Sequence, residues 1–390
     1  MNLADRPLRR WQTEALAKWK NAGRRGIVAI VTGGGKTIFA LHCLKEFRNN
    51  VPAATSVISV PTDALLDQWL EEIVSFFDIP LKSINILNSK KNIQPWKINI
   101  GVINTIAQIA EKPQREPVFL IVDECHKSAS PVFQKIFQIS SIASLGLSAT
   151  PERPYDSGLD DIIIPNLGQI IYNYTYKDAL ADKVIVPFTI HNIVFEFTPE
   201  EQEAYDKLTK AIQIAITKEG FESERAIALL LKRARLSNAS VSRVKIALRL
   251  VAKNQNRRIL IFHEDINSCE LIHGVLSQNN ITSGVYHSRM RLSDRIDVLK
   301  AYRSGKIQVL VSCRALDEGF NVPETEVGII AASTATHRQR VQRLGRVLRP
   351  APGKEDARIY SIVGAPPEIR RLAEEATNLD GLAEVIWTKA

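Results

Sequence analysis

The stretch Gly26-Ile27-Val28-Ala29-Ile30-Val31-Thr32-Gly33-Gly34-Gly35-Lys36-Thr37 indicates how this chain folds. Its apolar first half predicts a buried strand, and the residues that follow, Thr37–Phe47, have a helical pattern. A glycine loop between a strand and a helix points backbone N–H groups and the helix N-terminus at a phosphate. We therefore expect six loop residues to hold the phosphates of a nucleotide: Thr32, Gly33, Gly34, Gly35, Lys36 and Thr37.

Two adjacent carboxylates follow a second apolar run. Val118–Val122 is a continuous apolar run that is typical of a buried parallel strand, and Asp123 and Glu124 come directly after it. Ligands of parallel sheets bind at the edge where the strands end, so these acids are expected near the glycine loop. The pattern predicts that Asp123 and the Thr37 hydroxyl hold Mg²⁺. Glu124 would activate water, while Lys36 contacts the β- and γ-phosphates of ATP.

Two arginines near the end of the chain are a third pattern. They lie in Gln342-Arg343-Leu344-Gly345-Arg346-Val347-Leu348-Arg349, where Arg346 and Arg349 are three residues apart and so on one face of a helix. Their planar guanidinium groups suit bidentate contacts with phosphate. We expect them to reach the γ-phosphate and Gln342 to position water. Taken alone, the pattern is more typical of a salt-bridge stripe on a helix surface.

Two further segments complete the expected site. In Asp317–Pro323, Gly319 permits a close approach of the backbone and Asn321 is expected to bind the ribose or to connect the two lobes. Ser148 and Thr150, which follow another apolar strand, are expected to connect the acids to the second lobe. The less favoured alternative for Asp317–Pro323 is a turn with ordinary helix-capping residues.

The chain has two blocks in which short β-rich runs alternate with helical patterns. This alternation predicts an α/β fold with two doubly wound parallel sheets and a helical insertion before the second. One helical pattern, Asp63–Phe77, has Trp69 among its apolar positions. The expected domains are residues 1–187, a connecting and helical segment 188–256, and residues 257–390 with a tail helix. The predicted strands are Gly26–Val31, Thr55–Pro61, Asn99–Asn104, Pro117–Asp123, Ser144–Ser148, Arg258–His263, Ile281–Tyr286, Ile307–Cys313, Val327–Ala332 and Ala357–Val363.

The charge distribution favours a polyanionic partner. The formal net charge is +9, and the segment from Ala226 to His263 contains nine basic residues and no acidic one. We expect Arg233, Arg235 and Arg243 in this segment to contact the DNA backbone. The alternatives are a solvated helix face or a contact between lobes.

Cysteine spacing and hydropathy restrict the class of protein. The four cysteines are scattered, so the sequence predicts neither a disulfide framework nor a structural metal site. No apolar run reaches the length of a membrane span, and the N-terminus lacks the apolar core of a signal peptide. We therefore expect a soluble, cytoplasmic protein without a membrane partner.

The order of these motifs resembles that of superfamily 2 helicases, and most closely the XPB-like branch related to the DEAD/DEAH-box proteins. The resemblance extends from Leu8 to about Val363 and implies two tandem RecA-like lobes that use ATP and Mg²⁺. The segment Leu8–Gln12 resembles the adenine-reading element of that branch, which makes Arg9 and Gln12 candidates for base contacts. Four residues match the positions of the family's nucleic-acid backbone contacts: Pro61, Thr62, Thr105 and Ser312.

The resemblance implies an ATP-dependent DNA helicase or translocase that acts on a single strand or a fork. The forms Asp-Glu-Cys-His and Gln-Arg-Leu-Gly-Arg favour DNA over RNA, and movement from 3′ to 5′ is implied by resemblance alone. An accessory protein is expected to supply specificity. Three alternatives stay open: a double-strand translocase that does not unwind, an RNA helicase, and an ATP-gated clamp. The clamp is disfavoured because the catalytic motifs, including Glu124, are intact.

Overall fold

The chain divides into two compact units, and the division falls between Val184 and Ile185. In this computed structural model the described residues are 7–88, 90, 92–110, 117–151, 157–313, 322, 324–332, 343, 345–377, 379 and 381–390. Within them, no helix is long and apolar enough to cross a membrane.

The first unit is built on a sheet of seven parallel strands in the order β3-β4-β2-β5-β6-β1-β7. Its strands are β1 (Arg25–Ile30), β2 (Thr55–Val60), β3 (Ile84–Ile86), β4 (Ile98–Val102), β5 (Val118–Asp123), β6 (Ala143–Ser148) and β7 (Ile170–Tyr174). Its α-helices are α1 (Arg10–Asn21), α2 (Lys36–Asn50), α3 (Asp63–Phe77), α4 (Ile103–Ile109), α5 (Ile164–Leu167) and α6 (Tyr176–Ala181). Shorter helical turns are Leu81–Ser83, Cys125–Ala129, Phe133–Gln138 and Leu159–Ile163.

The central strands β5, β6 and β1 bring the predicted motifs together. Because these strands are parallel neighbours, they end at one edge of the sheet. Ala29 of β1 lies opposite Ser148 of β6, and Asp123 of β5 lies opposite Leu147 of β6. The glycine loop, the acids and Ser148 therefore leave the sheet side by side.

The second unit repeats the design with seven parallel strands in the order β10-β11-β9-β12-β13-β8-β14. Its strands are β8 (Phe188–Val194), β9 (Ile259–His263), β10 (Ser283–Tyr286), β11 (Val309–Cys313), β12 (Val327–Ile330), β13 (Ala357–Val363) and β14 (Glu384–Lys389). Its α-helices are α7 (Pro199–Glu219), α8 (Glu224–Asn238), α9 (Val241–Lys253), α10 (Ile266–Gln278), α11 (Leu292–Arg303) and α12 (Pro366–Thr377). Helix α9 packs its apolar face on the sheet through residues such as Val244 and Leu250.

The predicted fold class, with two parallel sheets flanked by helices, is confirmed. Segment 188–256 was predicted to be connecting and helical, but it begins with β8, a strand inside the second sheet. After β8 it forms α7, α8 and α9. Strands β3, β7 and β14 were also not predicted.

Candidate nucleotide site

The glycine loop lies between the end of β1 and the first turn of α2. Gly35 precedes the helix with a φ of 96°, and Gly33 has a φ of 89°, both in the left-handed region. A Cβ on Gly34 would lie 2.5 Å from Ile30 Cγ2 and 3.0 Å from the Val31 oxygen. Glycine is therefore required at these positions, because the loop turns tightly to present the N-terminus of α2.

Arg9 and Gln12 lie against the glycine loop. The Arg9 guanidinium donates a hydrogen bond of 2.9 Å to the Gly34 oxygen, and Gln12 Nε2 donates one of 3.2 Å to the Gly35 oxygen. The Arg9 backbone N–H donates to Gln12 Oε1 at 2.9 Å, which caps the start of α1. The two residues thus contact the loop, and their contact with a base stays a prediction.

Lys36 and the two acids form a buried cluster beside the loop. Lys36 Nζ lies 2.5 Å from Glu124 Oε1. Asp123 and Glu124 are both buried. Glu124 follows β5 with a φ of 48° and a ψ of 51°, which directs consecutive acid side chains to different neighbours. The side chain of Glu124 meets Lys36, whereas that of Asp123 meets α3.

Burial and mutual attraction set the charges of this cluster. Burial opposes the charge of Lys36, but the Glu124 and Asp123 carboxylates outweigh it and raise the pKa of Lys36. Burial also raises the pKa of Glu124, yet the Lys36 ammonium and then His126 outweigh burial and lower the pKa overall. For Asp123 burial prevails over the attraction of Lys36, so its pKa is raised. Lys36 and Glu124 therefore face each other as an ion pair.

Two hydrogen bonds hold the Asp123 carboxylate. The Trp69 indole N–H donates to Oδ2 at 3.0 Å, and the Glu124 backbone N–H donates to Oδ1 at 3.0 Å. Trp69 is a member of the site that the sequence does not reveal, because an apolar position in a helical pattern predicts burial only. The indole N–H was the available signal, since a buried donor needs an acceptor.

His126 connects the acids to β6. Its Nδ1 lies 2.9 Å from Ser148 Oγ and 3.4 Å from Glu124 Oε2. Ser148 Oγ also accepts a hydrogen bond of 3.2 Å from the Thr150 backbone N–H. The expected connection from Ser148 and Thr150 to the second lobe stays a prediction. Within the first unit, Ser148 meets the acid site through His126.

The arginine motif is described in part. Gln342, Gly319 and Asn321 lie outside the described residues. Arg346 is buried in a helical segment that includes residues 343 and 345–347, and Arg349 follows in a bend. Arg349 is therefore carried by the turn after the helix and not, as the spacing predicted, by the helix itself.

Arg343, in the same motif, contacts the end of β9 and the residue that follows this strand. Its Nη2 donates to Glu264 Oε1 at 2.9 Å, and its guanidinium lies 5.3 Å from the centre of the Phe262 ring. Both side chains of the ion pair are buried.

The candidate nucleic-acid contacts of the first unit follow two neighbouring strands. Pro61 and Thr62 come after β2, and Thr105 lies in α4 directly after β4. All three side chains are half-buried. Thr62 Oγ1 accepts a hydrogen bond of 3.4 Å from the Leu65 N–H and so caps α3. Their contact with nucleic acid stays a prediction.

The candidate contacts of the second unit differ in exposure. Arg235 is exposed. Arg233 is half-buried, donates to Thr209 Oγ1 at 3.1 Å and lies 5.2 Å from the centre of the Tyr205 ring. Ser312 is buried in β11, and its role stays a prediction.

Arg243 requires a correction, because it is only 1% exposed. Its guanidinium donates to the backbone oxygens of Ser237 and Ala331 at 2.8 and 2.9 Å. It also donates to both carboxylate oxygens of Glu368 at 2.7 Å. A guanidinium enclosed in this way is not available to a DNA phosphate, so Arg243 is a structural residue of the second unit.

Comparison with known proteins links both units to helicases. Residues 5–153 match the family model of the type III restriction enzyme res subunit, and residues 242–351 match that of the helicase conserved C-terminal domain. The DNA 3′-5′ translocase XPB2 of Sulfurisphaera tokodaii is 28% identical over 362 residues, covering 88% of this chain and 78% of that protein. The DNA 3′-5′ helicase XPB of Kineococcus radiotolerans is 25% identical over 364 residues. That alignment covers 91% of this chain and 59% of the relative.

A solved structure supports the same fold. The helicase domain of Hef from Pyrococcus furiosus matches 95% of this chain and 98% of its own with a TM-score of 0.60, at 17% sequence identity.

Proposed function

Because this chain belongs to the XPB-like branch of the superfamily 2 helicases, which hydrolyse ATP, we propose that it is a helicase or translocase driven along DNA by that hydrolysis. The observation that carries the proposal is the Lys36–Glu124 ion pair beside the glycine loop, with Asp123 next to it. A loop shaped for phosphate, a cation and two acids form the set needed for phosphoryl transfer to water.

The cluster fits a bound nucleotide and Mg²⁺. Thr32 Oγ1 is a buried polar atom without a hydrogen-bond partner among the described residues, and buried polar atoms are normally satisfied. The Asp123 carboxylate and the Thr37 hydroxyl are oxygen donors of the kind that Mg²⁺ takes together with phosphate oxygens and water. The ion would neutralise charge on the phosphates.

Lys36 and Glu124 take complementary roles in this proposal. The lowered pKa keeps Glu124 ionised, as a base that orients and deprotonates water must be. Lys36 stays charged and so can exchange its carboxylate partner for phosphate oxygens. Phosphate binding would thereby release Glu124 for the attacking water.

The second unit supplies further groups in the proposal. Arg346 and Arg349 would stabilise charge on the transferring phosphoryl group. Gln342, from the same motif, would position water. In the segment Asp317–Pro323, Gly319 would allow a close approach of the backbone, and Asn321 would bind the ribose. Arg9 and Gln12, which contact the loop carbonyls, would read the adenine.

DNA is the proposed partner because the relatives named above are DNA 3′-5′ enzymes. We propose movement from 3′ to 5′ on a single strand or fork, with specificity supplied by an accessory protein. One relative is named a translocase, so the alternative proposal is movement on a duplex without strand separation.

Strand displacement tests the proposal directly. The chain should consume ATP and separate 3′-tailed or forked DNA, while leaving 5′-tailed, blunt and all-RNA substrates intact. Displacement of a triplex-forming strand from blunt DNA, without unwinding of the fork, would establish the double-strand translocase instead. ATP hydrolysis that nucleic acid does not stimulate would contradict both versions.

A further inference from the structure

Trp69 connects helix α3 to the acid site. Its side chain is fully buried, and its indole N–H donates a hydrogen bond of 3.0 Å to Asp123 Oδ2. Helix α3 follows β2, and β2 is the hydrogen-bonded neighbour of β5, which ends at Asp123. The helix therefore returns over the strand pair and brings the indole to the end of β5.

We infer that Trp69 is a positioning residue that fixes the Asp123 carboxylate for Mg²⁺. This role rests on the proposed function, in which Asp123 holds the ion. A carboxylate rotates readily about its terminal torsion, because sp³–sp² torsions have broad minima. The Glu124 N–H restrains Oδ1, and the indole restrains Oδ2, so both oxygens are fixed.

The two donors leave the carboxylate able to bind an ion. Each carboxylate oxygen has two acceptor positions, and one donor occupies one position on each oxygen. The remaining positions would be left to accept a metal ion or its water molecules. Groups that orient metal ligands in this manner typically contribute 10- to 100-fold to metal affinity or activity.

The competing explanation is that Asp123 only satisfies a structural tryptophan. Trp19 offers a direct comparison, since it is also fully buried in the first unit and donates its indole N–H at 2.9 Å to the Ser144 backbone oxygen. Loss of the Trp19 donor affects packing and one buried hydrogen bond, but not Asp123. Trp19→Phe is therefore the matched control for Trp69→Phe.

Metal affinity measured on the full chain separates these explanations. Mn²⁺ binding in the presence of ADP, followed by the EPR signal of free Mn²⁺, should weaken roughly 10- to 100-fold in Trp69→Phe. It should stay within about twofold of wild type in Trp19→Phe. Turnover of ATP by Trp69→Phe should recover at high Mg²⁺, because the base and the arginines are unchanged.

Site-specific replacement of Trp69 by benzothienylalanine keeps the shape of the ring and removes only the N–H, so it applies even if the phenylalanine variant does not fold. Unchanged Mn²⁺ affinity in this variant would overturn the role of Trp69. If the wild-type chain binds Mn²⁺ and ADP and this variant binds Mn²⁺ equally well, only the role of Trp69 is wrong, and the proposed function stays intact. A wild-type chain that binds neither would remove the proposed function, and the role of Trp69 with it.

Discussion

At Glu124 the backbone leaves β5 in a left-handed conformation that residues other than glycine rarely adopt. Such a conformation costs a non-glycine residue on the order of 1 kcal/mol. The turn places neighbouring acids in different surroundings, with Glu124 against Lys36 and Asp123 against Trp69. In the proposed function, this separation leaves Glu124 to act on water and Asp123 to hold the metal ion.

Glu124→Gln should leave ATP binding intact and lower turnover by about a hundredfold or more, because the amide cannot accept the proton of the attacking water. Stopped assays of phosphate release and equilibrium binding of a fluorescent nucleotide measure the two effects separately. Lys36→Ala is the comparison, and it should impair both binding and turnover. Turnover at the wild-type rate in Glu124→Gln would show that another group is the base.

His263 makes the stability of the second unit dependent on pH. Burial, and then the neighbouring Arg243 and Arg343, lower the pKa of His263 to about 4, against the opposing influence of Asp265. The unfolded chain therefore binds a proton between pH 6.5 and about 4 that the folded chain does not bind. Stability is full above pH 6.5 and is lost as the pH falls, by about 2 kcal/mol between pH 7 and pH 5.

His263→Asn tests this dependence, since its amide oxygen can replace Nδ1 as the acceptor of the Asp265 N–H. Guanidinium denaturation of the full chain measures the free energy of unfolding at pH 7 and pH 5. Its decrease between these two pH values should be about 2 kcal/mol smaller in the variant than in the wild type. Equal losses in the two proteins would mean that His263 titrates normally in the folded state.

The grouping of Lys36, Asp123 and Glu124 could be predicted from the sequence because each follows a strand of one parallel sheet. Lys36 starts the helix after the loop that follows β1, the acids lie at the end of β5, and parallel strands end together. Trp69 could not be predicted as a site residue, since periodicity identifies a buried position without its hydrogen-bond partner. Arg243 was predicted as a DNA contact because sequence shows charge but not exposure.

At the scale of elements, Arg243 connects the end of α8, the segment after β12, strand β13 and helix α12. It donates to Ser237, Ala331 and Ile362 backbone oxygens and to Glu368. Its guanidinium also lies 5.0 Å from the centre of the Phe195 ring. One buried cation thus adds polar contacts between the helical segment and the sheet to the apolar packing of α9.

Glu368→Gln should destabilise the chain by about 3 kcal/mol, because it leaves the Arg243 charge buried without its counterion. The double variant Arg243→Met, Glu368→Leu should lose less stability than Glu368→Gln, since neither buried charge remains. Guanidinium denaturation at neutral pH measures both. Glu203→Gln, which breaks the exposed pair with Lys207, is the control and should not move the midpoint.

A double variant less stable than Glu368→Gln would contradict the assignment of the cost to an unpaired charge. It would show that the hydrogen bonds of Arg243 to the backbone oxygens matter more than its ion pair.

The elements that the sequence could not reveal are those defined by distant partners. Strand β8 follows a loop-rich stretch with scattered prolines and precedes three helices, so its local sequence context resembles a linker. Its partners, β13 and β14, come at the far end of the unit. Strand β14 is mostly exposed and lacks a clear apolar pattern. The ten strands that were predicted are apolar runs bounded by turns, for which local pattern is sufficient.

For the whole molecule, the burial of Arg243 leaves Arg233 and Arg235 as the predicted DNA contacts in the helical segment of the second unit. Changing Arg233 and Arg235 to Ala should flatten the slope of log affinity against log salt by about 1.4 on single-stranded DNA, if each contacts one phosphate. Fluorescence anisotropy of labelled single-stranded DNA across a salt series measures this slope. The ATP affinity without DNA should not change.

A variant with Lys82 and Lys97 changed to Ala removes the same charge from the first unit and is the control for net charge. If both double variants flatten the slope equally, the effect belongs to overall charge, and Arg233 and Arg235 have no special place in DNA binding.

The pairing of β8 with β13 and β14 has a consequence for how the protein is made. As the chain leaves the ribosome, β8 emerges first among the strands of its sheet, with both hydrogen-bonding edges open, while its two neighbours are still to be translated. Such open edges invite pairing with other nascent chains, and closure over a long sequence separation is slow. Strand β14 is the final partner of β8, so the second unit completes its sheet only after Glu384–Lys389 have been translated. The first unit needs no residue of the second sheet to complete its own, and it can mature while the rest is being translated.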